Sequence, residues 1–203
     1  IISEGGLSVL YKHSPQELRQ ILRNATPVER ARNFNACALI LLAINLIASP
    51  QDAREERDIL MINLPADWEP SSEENARFLF LAALDSLPDS GMVEADLRKL
   101  LSFCKENEVK LPRDYFQGIF RGVVGQLGLY YRRSGTLLEN VHTLQSIYDI
   151  CGLIIKDCDG RLWHSSAEAE LNYMQGNIDT ADEILLHFLK SPWNTIDRQQ
   201  RAI

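Results

Sequence analysis

Three short stretches constrain this chain more than any others: SPQE at 14–17, TPVE at 26–29 and SPQD at 49–52. Each sets Ser or Thr ahead of Pro, with a carboxylate three residues after the hydroxyl. The hydroxyl oxygen accepts from a backbone N–H that the opening turn of a helix leaves without a partner. Pro lacks the N–H that would go unpaired at the first position, and the acid favours the positive end of the helix dipole. Helices are therefore predicted over 15–23, 27–48 and 50–62.

The rest of the chain continues in the same period. PSSEENARFLFLAALDSL predicts a helix over 72–87, with Ser71 or Ser72 as cap. MVEADLRKLLSFCKEN predicts another over 92–106, with Leu97, Leu100, Leu101 and Cys104 on one face. PRDYFQGIFRGVVGQLGLYYRR (112–133) carries Gly118, Gly122, Gly125 and Gly128, which fall within about a third of a helix circumference. They form a smooth strip for close helix packing, with a break near Gly125 as the alternative. A phosphate loop is disfavoured, because no Lys-Ser/Thr follows and no strand precedes. After a Ser-Gly turn, 135–157 places Leu137, Val141, Leu144, Ile147, Tyr148 and Cys151 in one apolar stripe. DCDGR (157–161) interrupts the chain, and a final hairpin follows. No stretch alternates with period two for long enough to make a strand.

The expected fold is therefore all-α, with 1–203 as a single helical-repeat domain. Helices of 10 to 22 residues with short connectors favour antiparallel hairpins stacked side by side, because one hairpin cannot cover its own apolar face. The sequence opens on IISEGG without an initiator Met or signal-peptide pattern and closes on RQQRAI, so both ends read as cuts in a longer protein. The longest apolar run, ACALILLAINLIA (36–48), is interrupted by Asn45. It is shorter than the roughly 20 residues that cross a bilayer, and it reads as a core helix.

Residues 161–192 match the tetratricopeptide pattern best: a small residue in the first helix, an alanine in the second, a large apolar residue four later, then Pro. Ala169, Ala181, Leu185 and Pro192 supply these, with Gly176 at the turn. Asn172 stands where the pattern has an aromatic, and Tyr173 follows one place later. Ala169 and Ala181 are expected to let the two helices approach. Tyr173, Ile184, Leu185 and Phe188 are expected to fill the space between units. The stack would form a tetratricopeptide-like right-handed superhelix.

The wider run 127–189 resembles a segment of the MalT-like branch of bacterial LuxR-type transcription regulators. The resemblance rests on Tyr130-Tyr131, Gly135 with Leu137, Gly160, Ala167-Glu168-Ala169, Tyr173, Gly176-Asn177 and Ala181, and covers about the last third of the chain. It implies a central helical-repeat region lying between a nucleotide-binding switch and a DNA-binding helix-turn-helix. This chain has neither a GxxxxGK[ST] loop nor a basic recognition helix, so it resembles that central region alone. Such a region is expected to bind a small-molecule inducer or regulatory protein and to bias self-association. DNA would be reached through a helix-turn-helix outside it. A stand-alone tetratricopeptide adaptor for peptide partners is the alternative.

Charge fits this expectation. A net charge of -7 and a pI near 5.1 disfavour direct contact with nucleic acid. Cys37, Cys104, Cys151 and Cys158 form no CxxC pair, which points to reduced thiols in a cytoplasmic protein. His13, His142, His164 and His187 are scattered, without zinc spacing, and no cofactor motif is present. The acid-rich stretches REERD (54–58) and SSEENAR (71–77) read as solvated helix faces rather than a catalytic pair, so an enzyme is not expected. The candidate ligand or partner surface is Tyr130, Tyr131, Arg132 and Arg133, joined by Trp163 and His164. As a binding rim it would stack on and hydrogen-bond to an anionic or sugar-like ligand. As plain structure, the arginines would complement a helix dipole, Trp163 would pack, and His164 would pair with Glu168.

Overall fold

A computed structural model of the chain describes residues 10, 12–87, 89–112, 115, 131, 134–156 and 160–190; for 46, 160–163, 166, 167 and 188 it describes the backbone alone. The described residues form helices α1 (Pro15–Asn24), α2 (Pro27–Arg32), α3 (Phe34–Ile47), α4 (Pro50–Ile62), α5 (Ser72–Leu84), α6 (Ser90–Glu106), α7 (Leu137–Ile154), α8 (Gly160–Met174) and α9 (Ile178–Lys190). The fold is all-α.

The sequence-encoded caps are in place. Ser14, Thr26 and Ser71 each close a reciprocal capping box with Glu17, Glu29 and Glu74. Ser49 accepts from the Asp52 N–H at 3.1 Å. Helix α6 begins at Ser90, two residues ahead of the expected start, because Asp89 accepts from the Met92 N–H at 3.1 Å. Helix α5 stops at Leu84 rather than continuing to 87, and residues 85–87 form a turn.

The long helix expected over 27–48 is two helices. Asn33 leaves helical geometry, at φ -114° and ψ 31°. Both its backbone N–H and its side-chain amide donate to the Glu29 carbonyl, each at 2.9 Å. The six-residue α2 ends there, although Asn140 makes the same amide bond inside α7 without ending it. The short α2 is held to α1 by Arg30, which is buried. Its Nε donates to the Leu22 carbonyl and its Nη2 to the Arg23 carbonyl, both at 3.1 Å, satisfying acceptors at the end of α1.

Beyond Asn33, α3 lies at the centre of the described fold. Cys37 through Ile44 are all buried, so α3 is apolar on every side and is enclosed rather than amphipathic. Helices α1, α4 and α5 pack around it. From α5 onward each helix packs on the one before it: α6 on α5, α7 on α6, α8 on α7, α9 on α8. Polar ties reinforce the α6–α7 contact, where the Ser146 hydroxyl donates to Glu94 at 2.7 Å and Ser90 Oγ lies 3.3 Å from Asn140 Oδ1. All six residues expected in the α7 stripe are buried.

At the ends of α6 and α7, Leu111 and Ile155 form an isolated parallel bridge. The Leu111 N–H reaches the Ile154 carbonyl at 2.8 Å, and the Lys156 N–H reaches Leu111 at 2.9 Å. Of 112–133, only Pro112, Tyr115 and Tyr131 are described, so the four-glycine strip lies outside the described residues. Tyr115 is fully buried, with its ring edge-on to Phe80 at 5.5 Å. Cys37, Cys104 and Cys151 are buried free thiols, and burial pushes Cys37 up to about 11; Cys158 lies outside the described residues. No described helix is long and apolar enough to cross a membrane.

Candidate binding surfaces

Of the six residues singled out by sequence, Tyr130, Arg132 and Arg133 lie outside the described residues, and the Trp163 side chain does too. The other two are core residues. Tyr131 is 5% exposed and His164 is 3% exposed, so neither presents its side chain on an open rim. His164 faces α7, with its ring tilted 63° to Tyr148 at 6.1 Å. Its Nδ1 lies 3.9 Å from Glu168 Oε2, so the expected i, i+4 neighbour is present, but the imidazole is buried while the carboxylate is half exposed. Burial lowers the imidazole pKa below the ordinary value, outweighing the pull of Glu168. Its Nε2 is buried without a hydrogen-bond partner. Those features describe a neutral packing histidine.

The last hairpin closes as its small residues require. Ala169 and Ala181 are both buried, and α8 and α9 pack together. Gly176 takes φ +82° at the turn, where a Cβ would be strained, and the Asn177 N–H returns to the Asn172 carbonyl at 2.9 Å. The large side chains do not fill an inter-unit space, however. Tyr173 is 67% exposed and Leu185 is 41% exposed, with Ile184 half-buried; the Phe188 side chain is outside the described residues. Ala181 takes the side of α9 that faces α8, and Leu185, one turn further along, lies at the margin of that contact.

A site that sequence reasoning missed lies at the break between α2 and α3. A cleft of about 810 Å³ opens there, within the size range of small-molecule pockets. Its apolar surface comes from Ile21 of α1 with Phe34, Leu39 and Ile40 of α3. Two carboxylates line it, Glu29 of α2 and Glu74 of α5, and both are engaged. Glu29 accepts from the Thr26 N–H at 2.9 Å and from its hydroxyl at 2.7 Å, bonds that hold it below the usual carboxylate range. Glu74 accepts from the Ser71 N–H at 2.8 Å and from its hydroxyl at 2.9 Å. Asn35 also lines the cleft, and its Oδ1 is buried without a hydrogen-bond partner among the described residues. Arg32 and Asn24 add donors.

This inventory suits binding: apolar surface for the body of a ligand, with cationic and amide donors to orient it. Cys37 also lines the cleft, but as a thiol raised by burial to about 11 it is protonated at neutral pH. The readable signal for the site is NFNA at 33–36, two asparagines flanking a Phe inside a helical pattern. Among the described residues, no group of three His, Cys, Asp or Glu side chains is placed to hold a metal ion. No protein-family model matches the chain, and no curated protein or solved structure matches it either.

Proposed function

We propose that this chain is a sensing and coupling region made of stacked helical hairpins, like the centre of a MalT-like LuxR-type regulator. The cleft at Asn33 carries the reading. A ligand seated there touches α1, α2, α3 and α5 together, so its affinity depends on how those helices are set against one another. A ligand that prefers one arrangement shifts the molecule toward it by that difference in affinity, and this is the physical content of a sensor. The resemblance over 127–189 supplies the regulatory context, with self-association as the output and DNA contact made elsewhere.

The test is thermal unfolding of the chain against a panel of saccharides, nucleotides and amino acids. A ligand at a hundredfold over its Kd stabilises by about 2.7 kcal/mol. For a chain of this size that is a rise in Tm of roughly 5–10 °C. The rise must disappear in Asn35→Leu, which removes the Asn35 amide from the cleft lining. A panel without any such shift, or a shift that Asn35→Leu leaves intact, refutes the cleft as the sensing site. A second reading, an adaptor for protein partners, is favoured by one observation: the large apolar side chains left exposed along α9.

A further inference from the structure

Helix α9 leaves large apolar side chains exposed. Ile178 is 54%, Leu185 41% and Leu186 52% exposed. At 100° per residue these three span an arc of about 100° on one side of the helix. Ala181, the buried contact with α8, lies just outside that arc. Acids outnumber bases among the polar residues that interrupt or border the arc. Asp182 falls inside it, and Asp179 and Glu183 follow along its far edge; all three are exposed. Lys190, in the last turn, is the one base along that edge, and His187 lies away from the arc.

An apolar arc edged mostly by acids selects its occupant. A second copy, docking the same face, would set one net-acidic face against another, and like charges across an interface disfavour pairing. An anionic membrane surface meets the same repulsion. A helix whose apolar anchors recur at i, i+3/i+4 and i+7, and whose flanking positions are Lys or Arg, satisfies both the apolar surface and the charge.

We propose that the exposed face of α9 docks a basic amphipathic helix of a partner protein. This rests on the adaptor reading and makes it specific, and it involves none of the cleft residues. The test uses two fluorescein-labelled 18-residue amphipathic peptides with the same leucine face, one with lysines at the flanking positions and one with glutamates. Anisotropy with the full chain should show the lysine peptide bound at least tenfold more tightly than the glutamate peptide. Binding should weaken as NaCl rises. Asp179→Asn/Asp182→Asn/Glu183→Gln should lose at least tenfold, and Leu185→Ser/Leu186→Ser should lose binding. Those side chains are exposed, and unchanged helical circular dichroism would show that the variants fold.

Equal affinity for the two peptides overturns the proposal. So does tight binding that the α9 variants leave intact, although that result would keep the adaptor reading alive. A dimer in sedimentation velocity that Leu185→Ser/Leu186→Ser dissolves gives the face to a second copy instead. Vesicles of anionic phospholipid that bind the chain through the same leucines give it to a membrane. Peptide binding that appears only in a chain ending at Lys190 gives it to residues 191–203. Each of these three outcomes also overturns the proposal.

Discussion

Arg57→Ala should be among the most damaging single substitutions outside the apolar core. Arg57 on α4 ion-pairs with Asp85, the residue that ends α5, and the two side chains are 13% and 11% exposed. The Arg57 guanidinium also lies 5.4 Å from the centre of the Phe78 ring. Removing one member of a fully buried pair costs about 3–5 kcal/mol, because the other charge is stranded. The cost here is smaller, since Arg54 Nε remains 3.8 Å from Asp85 and some solvent reaches the site. Adding about 0.5 kcal/mol for the contact with Phe78, the expected loss is about 2–3 kcal/mol. With a urea m-value of about 2–3 kcal/mol/M, the midpoint should fall by roughly 1 M.

The pH dependence makes this test specific. Burial already raises the Asp85 carboxyl above its ordinary value, against the pull of Arg57. Without Arg57 it rises further. A carboxyl whose folded pKa lies above its unfolded value binds more protons in the folded state across that interval. Its penalty therefore grows as pH rises through the interval and is absent below it. The gap between the native chain and Arg57→Ala should be widest at pH 7 and should narrow toward about pH 4. Arg57→Ala/Asp85→Asn should be more stable at pH 7 than Arg57→Ala alone. A loss below about 0.5 kcal/mol, or a double variant no better than the single, would refute the stranded-charge reasoning.

Other substitutions test other parts of the structure. Gly176 at φ +82° and Glu108 at φ +53° share a left-handed backbone with opposite side-chain requirements. Gly176→Ala should lose about 1 kcal/mol and Glu108→Gly should gain up to about 1 kcal/mol in thermal melts, so equal signs would contradict the assignment. Asn45 is buried in α3 with Oδ1 unpaired, so Asn45→Leu should stabilise by about 1 kcal/mol in urea titrations; a comparable loss would reveal a partner for the amide. For His164 the folded pKa lies below the unfolded value. Its neutral form therefore contributes stability that is complete above about pH 6.5 and is lost as pH falls toward the folded value. Between pH 7.5 and 5.0 the native chain should lose more Tm than His164→Gln, and equal losses would exclude this imidazole as the cause.

What could be read from sequence follows from where the deciding interactions sit along the chain. The starts at Ser14, Thr26, Ser49 and Ser71 were legible because a cap is complete within four residues: hydroxyl, backbone and acid are all local. The α7 stripe was legible because periodicity alone separates its buried side from its exposed one. The break at Asn33 was not, because an Asn ahead of the apolar run at 36–48 is no stop signal by itself. The amide bond it makes to a carbonyl four residues back is also made by Asn140 inside the unbroken α7. The burial of Tyr131 and His164 was hidden for a related reason. Both types have an apolar body and a polar tip, and which end governs depends on the neighbouring helices.

The same logic accounts for where the two candidate surfaces lie. Burial runs from α3, enclosed by three helices, to α9, whose described contacts in the fold lie with α8. A fully enclosed helix can offer a ligand only its end. The cleft accordingly opens at the first residues of α3, where Asn33 separates it from α2 and Asn35 keeps a buried oxygen unpaired among the described residues. A helix packed on one side offers its length instead, and that suits an extended helical partner better than a small molecule. A straight helix through 27–48 would remove the break between α2 and α3 at which the cleft lies. Replacing Asn33 with a strong helix former should shrink the cleft and abolish ligand-induced stabilisation together, whereas binding along α9 should be unaffected.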